Sequence, residues 1–455
     1  MPPANPLSSP AVRELTEGSV PRQTLALAIP SVVEQASMNI VRLADMYWMG
    51  LVGGMSVASV VMATTLRVVL ISPMMGLSTG GMALVSRYIG QRDQARADRA
   101  TMQVLLLIAL FAIPIMIIGH ILTPALLRLM GASPEVHQGA TQYLRIIWWG
   151  LFFMECLPTM STVIKGAGKP EYTLRVNIVN LAVMAVVEPV LVLGLGPFPA
   201  MGIRGAALAA VLGSAAGVTG VMVVLLTGAA GLRLHLRDVR PDWPMMGRIL
   251  RISFPASIER LSPNLGAAVF MRLVAAFGDQ VLTAYSVFSH LFLFLQAFTL
   301  GGGHAASTMV GQNLGAGKPE RSTHAAHMAG FGAAGASALV YGLLAIAPGP
   351  VLSLFGCDPA SIAVASQAVR VTLGGAIIRG WGQVLGRSLA GAGDALSPMV
   401  ASVGALWLVQ LPASWILSGA LGPLGIWLGM VLGDTAHAIA MTWRFRQGRW
   451  KLVRV

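Results

Sequence analysis

Residues 30–39 read PSVVEQASMN, and residues 255–264 read PASIERLSPN. Pro30, Glu34, Ser37 and Asn39 return as Pro255, Glu259, Ser262 and Asn264, each displaced by 225 positions. Gly166-Ala167-Gly168 returns as Gly391-Ala392-Gly393 at the same displacement. Two more landmarks follow in order: Ser86 and Gly90-Gln91 against Ser307 and Gly311-Gln312, and Leu195-Gly196-Pro197 against Leu421-Gly422-Pro423. Matched landmarks in one order are hard to obtain by chance. Residues 24–228 therefore align with 249–445 as two copies of one unit.

The repeated unit is a set of membrane helices. The 455-residue chain is 55% hydrophobic and only 11% charged, about half the charge of an ordinary soluble protein. Apolar runs of the ~20 residues needed to cross a bilayer recur along it. Twelve helices are predicted, near 24–48, 56–86, 98–122, 138–163, 171–194, 204–228, 247–274, 280–311, 320–347, 361–386, 395–418 and 425–445. The fold class is an all-α polytopic membrane protein, with twelve transmembrane helices in two pseudo-symmetric six-helix bundles. Parallel repeats of this kind are a transporter signature.

The net charge of +13 does not point to nucleic acid, because it is concentrated in alternate loops. One set carries Arg87, Arg92, Arg96 and Arg99, then Lys165, Lys169 and Arg175, then Arg233, Arg237, Arg240, Arg248 and Arg251. Lys318, Arg321, Arg387 and the C-terminal Arg444, Arg446, Arg449, Lys451 and Arg454 continue it, whereas the opposite set holds Arg128 and Arg204. The positive-inside bias then puts both termini in the cytoplasm; the expected location is a plasma membrane, the bacterial inner membrane. The expected division is an N-terminal tail (1–23), an N-terminal lobe (24–228), a basic linker (229–246), a C-terminal lobe (247–445) and a C-terminal tail (446–455). The start of the chain lacks a signal-peptide pattern.

The hexapeptide GAGKPE occurs at 166–171 and 315–320 and superficially suggests a phosphate-binding loop. That loop needs a Gly five residues before its Gly-Lys pair and Ser or Thr after the Lys. Val163 and Gln312 stand at the glycine position, and Pro170 and Pro319 follow the lysines. The expected role is a helix stop followed by a helix start, with no nucleotide. Cys156 and Cys357 lie far apart without metal spacing. No HExxH, nucleophile or metal motif suggests an enzyme, and no cofactor is expected.

A carboxylate within a span costs a few kcal/mol to insert and is a functional candidate by default. Glu34, Asp45, Glu155, Glu188 and Glu259 fall within spans, and Asp434 lies in the last helix. Glu34 and Asp45 are eleven residues apart, about three turns, so they share one helix face. Only Glu34 and Glu259 recur; Phe270 aligns with Asp45, Ala413 with Glu188, and Asp434 falls near Val211. Acids shared by both halves suit architecture or a common cavity, while acids unique to one half suit ion coupling, which points to Asp45 and Glu188. Bland alternatives are pairing of Asp45 with Arg42 or Arg67, and a packing role for Glu34, Glu155 and Glu259.

Arg67 lies deep in the second span, and an exposed Arg67 would suit anionic or zwitterionic compounds. Arg42, Arg145, Arg260, Arg272, Arg370 and Arg379 also lie in or near spans. Phe288, Phe292, Phe294 and Phe298, with 25 methionines in the chain, suit a wall for flat amphiphiles. His290 and His304 are proton-carrier candidates or packing histidines.

Several stretches carry a family resemblance: LADMYWMG near 43–50, GAGKPEYTLRVNIVN at 166–180, EPVLVLGLGPFP at 188–199, GIRGAALAAV at 202–211, GIWLGMVLGD at 425–434, and the ending RFRQGRWKLVRV. Together the chain resembles the multidrug and toxic compound extrusion family, in its DNA-damage-inducible-protein-F-like branch. The resemblance implies an antiporter that exports amphiphilic organic compounds in exchange for protons or sodium ions, by alternating access. It implies small-molecule substrates and a lipid bilayer as partners, with no nucleic acid, and a monomer.

The family's N-lobe site pairs an aspartate of the first helix with an aspartate before Pro in the fifth; Asp45 matches the first, and Glu188 before Pro189 stands at the second. Met184 and Ala210 stand where the family has Asn and Thr. That loss favours protons over sodium, which wants several hard oxygen ligands. Asn177 and Asn180 are further oxygen donors for a coupling site there. Asp434 stands where the branch often has a glutamate and joins Glu34, Glu259, Arg67, Phe288 and Phe292 as candidates for a cavity or a C-lobe site. The alternative reading is a lipid-linked precursor flippase of related architecture.

Overall fold

The computed structural model describes residues 15–235, 239–353, 355 and 358–453, with the backbone alone for Phe294 and Leu295. Cys357, Arg237, Arg454, residues 1–14 of the N-terminal tail and the Phe294 side chain lie outside the described residues. The described secondary structure is helical. The first half holds α1 (Val20–Val52), α2 (Gly54–Met75), α3 (Leu77–Gly90), α4 (Gln94–Leu129), α5 (Pro134–Trp149), α6 (Leu151–Gly166), α7 (Pro170–Leu193) and α8 (Ile203–Thr227). The second holds α9 (Trp243–Ala275), α10 (Asp279–Gly315), α11 (Pro319–Ile346), short α12 (Pro348–Ser353), α13 (Pro359–Gly391), α14 (Leu396–Gly404), α15 (Leu411–Leu421) and α16 (Pro423–Arg446). A π-helical turn, Ala405–Gln410, joins α14 to α15.

Ten of these helical stretches are long and apolar enough to cross a membrane, and α5 with α6 makes an eleventh, bent by 60°. α9 completes twelve; Arg248, Arg251, Glu259, Arg260 and Arg272 lower its hydropathy. Two predicted spans are broken. The one near 138–163 divides at Gly150, where a side chain would collide with Val211 of α8. The one near 56–86 divides at Gly76, after Pro73.

Helix ends follow local chemistry. Ser133 accepts a hydrogen bond from the Val136 amide ahead of Pro134, and Asp358 does the same for Ser361 ahead of Pro359. These are side-chain N-caps with proline at the first helical position. Both GAGKPE copies are a stop and a start, as their Gly-Lys-Pro order predicts. α6 and α10 end at their first glycine, Gly168 and Gly317 take φ of 85° and 70°, and α7 and α11 open at Pro170 and Pro319. The lysine of the second copy holds backbone: Lys318 Nζ donates to the Thr16 carbonyl at 2.9 Å.

The structure corrects the register of the duplication. Gly54–Gly90 and Asp279–Gly315 are both 37 residues long and begin and end 225 apart. The outer ends of α5–α6 and of α13 are likewise 225 apart. The Ser86–Ser307 pairing, displaced by 221, is therefore off by one helical turn. A slip of four residues turns a helix by little more than one revolution. It keeps nearly the same face forward, so sequence alone tolerates it.

The chain clusters into two units. One gathers Val33–Ile89 and Asp93–Ser257, and the other gathers Gly90–Arg92, Ile258–Val455 and the start of α1 up to Val32. Both long helices that change unit do so at repeat-related points, Val32 in α1 and Ser257 in α9. Within the first unit Gly76 abuts the Ser253 carbonyl, and its amide donates to Ser257 Oγ at 2.9 Å. Within the second, the repeat-related Gly301 abuts Val32 and Ala28. Gly166 against Met82, and Gly391 against Ser307, form a second matched pair of contacts. In each pair the absent side chain lets one backbone approach another.

The substitutions G76A and G301A place a Cβ inside these crossings. Each is expected to lower the thermal unfolding midpoint of the detergent-solubilised protein, by the equivalent of about 1–3 kcal/mol. G332A, with open space around it, leaves the midpoint unchanged in the same assay.

Candidate functional site

In the first unit α1 and α7 carry two acid sites at matched heights. Glu34 and Asp45 are eleven residues apart on α1, and Asn177 and Glu188 are eleven apart on α7, about 16 Å along each axis. The two helices run parallel, so the lower residues meet and the upper residues meet.

At the lower level Glu34 is fully answered. Lys165 Nζ lies 2.8 Å from its Oε1, Thr173 donates to Oε2 at 2.9 Å, and Asn177 Nδ2 donates to Oε1 at 3.1 Å. Glu34 and Lys165 are each 4% exposed. Lys165 belongs to buried α6 rather than to the basic loop in which the sequence pattern counted it. Asn177 therefore serves Glu34 and also donates to the Thr173 carbonyl. Asn180 packs beside Gly213, and its Oδ1 is buried with no hydrogen-bond partner among the described residues.

At the upper level the Asp45 and Glu188 carboxyls stand side by side, close enough to share a proton. Glu188 is 1% exposed, and its Oε1 has no hydrogen-bond partner among the described residues. Two carboxylates are acceptors only, so a hydrogen bond between them needs a proton on one. Tyr143 of α5, buried, is within electrostatic reach of both acids and of Arg67. Arg67 does not pair with Asp45: its Nη2 bonds Glu155 Oε1 at 2.9 Å. Arg42 likewise turns to Asn39 rather than to Asp45, at 3.4 Å. With one shared proton, the three acids (Asp45, Glu155, Glu188) and two cations (Arg42, Arg67) sum to zero. Without it they sum to minus one.

The second unit holds a cavity of about 370 Å³. Four sequence candidates line it together: Glu259, Phe288, Phe292 and Asp434. Asp434 Oδ2 lies 2.7 Å from Arg379 Nη2, and the Arg379 guanidinium stands 4.4 Å over the Phe292 ring. Phe288 packs on Phe292 and on Trp427. Glu259 has no described hydrogen bond or ion pair. The repeat explains its difference from Glu34, since Ala390, Pro398 and Ser402 occupy the positions of Lys165, Thr173 and Asn177. Glu34 and Arg67 belong to the first unit and take no part in this cavity.

Sequence reasoning passed over four features of these sites. Tyr143 is one of several polar residues of α5 and His437 one of several in α16, and neither carries a spacing signal. Lys165 was hidden by its closeness to a basic loop. The π-helical turn, which puts Ala405, Leu406 and Gln410 on the cavity wall, has no sequence mark, although such turns concentrate at functional sites. His290 Nδ1 lies 2.8 Å from the Ser286 carbonyl, one turn back on its own helix.

A duplicated set of membrane-crossing helices with ionisable clusters in its interior has the make-up of a transporter. The family model described as MatE matches residues 30–190 and again 255–416, once in each repeat. The chain therefore belongs to the multidrug and toxic compound extrusion (MatE) family. It is 26% identical over 443 residues to the probable multidrug resistance protein YoeA of Bacillus subtilis, covering 95% of each chain. It is 26% identical to the probable multidrug resistance protein NorM of Rhizobium meliloti, covering 93% of this chain and 92% of that one.

Two solved structures share the fold. A MATE crystal structure in complex with MaL6 superimposes with a TM-score of 0.91 at 22% identity, covering 98% of this chain and 100% of that one. A MOP-superfamily transporter of Pyrococcus furiosus, described as having a binding pocket of reversed polarity, gives 0.90 at 20% identity, covering 98% and 99%.

The substitution K165M leaves Glu34 buried without its cation. It is expected to cost about 3–5 kcal/mol, read as a large fall in the unfolding midpoint. The double variant E34Q/K165M recovers most of that loss.

Proposed function

We propose that the protein is a secondary active exporter of amphiphilic organic compounds, driven by protons, with Asp45 and Glu188 as the proton-carrying pair. The observation that carries this reading is the close approach of the two acid side chains, one of them buried. One proton switches the surrounding cluster between neutral and singly negative. A charge change in an apolar setting is worth several kcal/mol, enough to bias two conformations of the chain.

The membership in a transporter family and the names of the relatives, probable multidrug resistance proteins, support export of drugs rather than an enzyme activity. They do not favour a lipid-linked precursor flippase. Protons are favoured over sodium because Asn177 is engaged by Glu34, and Met184 and Ala210 offer no oxygen side chain. The charge bias of the loops supports cytoplasmic termini in a bacterial inner membrane. The motif order supports the DNA-damage-inducible-protein-F-like branch.

Ethidium efflux from proteoliposomes tests this. Export is expected under an imposed proton gradient, with no stimulation by a sodium gradient. D45N and E188Q are each expected to cut proton-driven export at least tenfold while the protein remains folded. Wild-type export by either variant, or an absolute need for sodium, would remove the acid pair from coupling.

A further inference from the structure

The acid pair at the upper level spans two helices, Asp45 on α1 and Glu188 on α7. Two ionised carboxylates push each other apart, so a close pair needs something else to hold its helices together. The charged and titratable groups that face the pair make no described bond from α1 to α7. Arg42 lies on α1 and turns to Asn39, Arg67 of α2 is bonded to Glu155 of α6, and Tyr143 of α5 is within electrostatic reach only. The two helices meet through side chains rather than by close backbone packing.

The lower level, about 16 Å down both axes, does join them. Glu34 of α1 accepts from Thr173 Oγ1 at 2.9 Å and from Asn177 Nδ2 at 3.1 Å, both on α7. Thr173 is 0% exposed and Asn177 4%. Asn177 is braced in turn, because its Nδ2 also donates to the Thr173 carbonyl at 3.0 Å. Lys165 of α6 stands 2.8 Å from Glu34, so the lower level sums to zero while the upper level changes by one charge with its proton.

The duplication shows the two levels going together. In the second half Phe270 and Ala413 align with Asp45 and Glu188, so the acid pair is absent there. Glu259 persists at the position of Glu34, yet Pro398 and Ser402 replace Thr173 and Asn177. The half that lost the pair also lost the groups that tie its first helix to its fifth span.

We propose that Thr173 and Asn177 are positioning residues for the proton-carrying pair: by binding Glu34 they hold α1 against α7 and keep Asp45 and Glu188 close enough to share a proton. This rests on the proton-coupled reading above. While the acids are held close, losing the shared proton leaves two like charges side by side, so the proton is kept to higher pH. Once α1 is free to move away, that repulsion is relieved and the proton leaves at lower pH.

Proton-driven ethidium export from proteoliposomes, at a fixed pH difference and with the absolute pH stepped, tests this. T173V and N177L remove both donors of α7 and leave the Lys165–Glu34 ion pair in place. The double variant T173V/N177L is expected to keep exporting, with the alkaline half-maximum of its pH profile moved to lower pH by about half a unit or more. T173S retains the hydroxyl and is expected to keep the wild-type profile. A lower rate with an unshifted profile in the folded double variant would overturn the proposal, and so would a shift to higher pH. Should the double variant not fold, N177L alone is read in the same way. Wild-type export by D45N would remove the acid pair and this proposal with it, whereas an inactive D45N beside an unshifted T173V/N177L would remove the positioning role alone.

Discussion

A charged side chain among apolar helices must be answered by another group, because water is not there to do it. The acids of this chain are arranged around that constraint. Glu34 is answered by Lys165, Glu155 by Arg67 and Asp434 by Arg379. Glu188 alone among the 1%-exposed residues is an acid whose described partner is another acid. Each of these three acids has a cation beside it to offset its charge. The acid–acid pair cannot be fully ionised without repulsion, and this is the basis on which we propose it as the proton-carrying pair.

The same constraint separates the two halves. Each began from one plan, visible in the 225-residue register of helix ends, N-caps and glycine crossings. The shared glutamate kept its place and lost its meaning. Glu34 has a lysine, a threonine and an asparagine around it, whereas Glu259 stands at a cavity with none of those three. At the positions of Arg67 and Glu155 the second half has Phe292 and Gly380, and the neighbouring Arg379 stands over the Phe292 ring. One half has become an ionisable cluster, and the other an aromatic cavity rimmed by arginine.

Much of this was legible beforehand. Apolar runs and turn chemistry are local properties, so the twelve spans and the role of GAGKPE follow from residues close in sequence. The duplication was legible because Pro30, Glu34, Ser37 and Asn39 recur at one displacement. The choice of Asp45 and Glu188 came from their absence in the other half, and the structure brings the two together. Asn177 and Asn180 share their helix with Glu188, but one turns to Glu34 and the other packs on Gly213.

What sequence alone determined was therefore the class of fold, the repeat and the identity of the ionisable residues within the spans. Partner choice was decided by tertiary structure. Whether Arg67 meets Asp45 or Glu155, whether Lys165 is a loop cation or a buried counter-ion, and where the helices break depend on which faces meet across long separations. Helical periodicity specifies the face a residue occupies, not the helix that covers it. A shift of four residues, as in the second span, keeps that face nearly unchanged while altering every contact it makes.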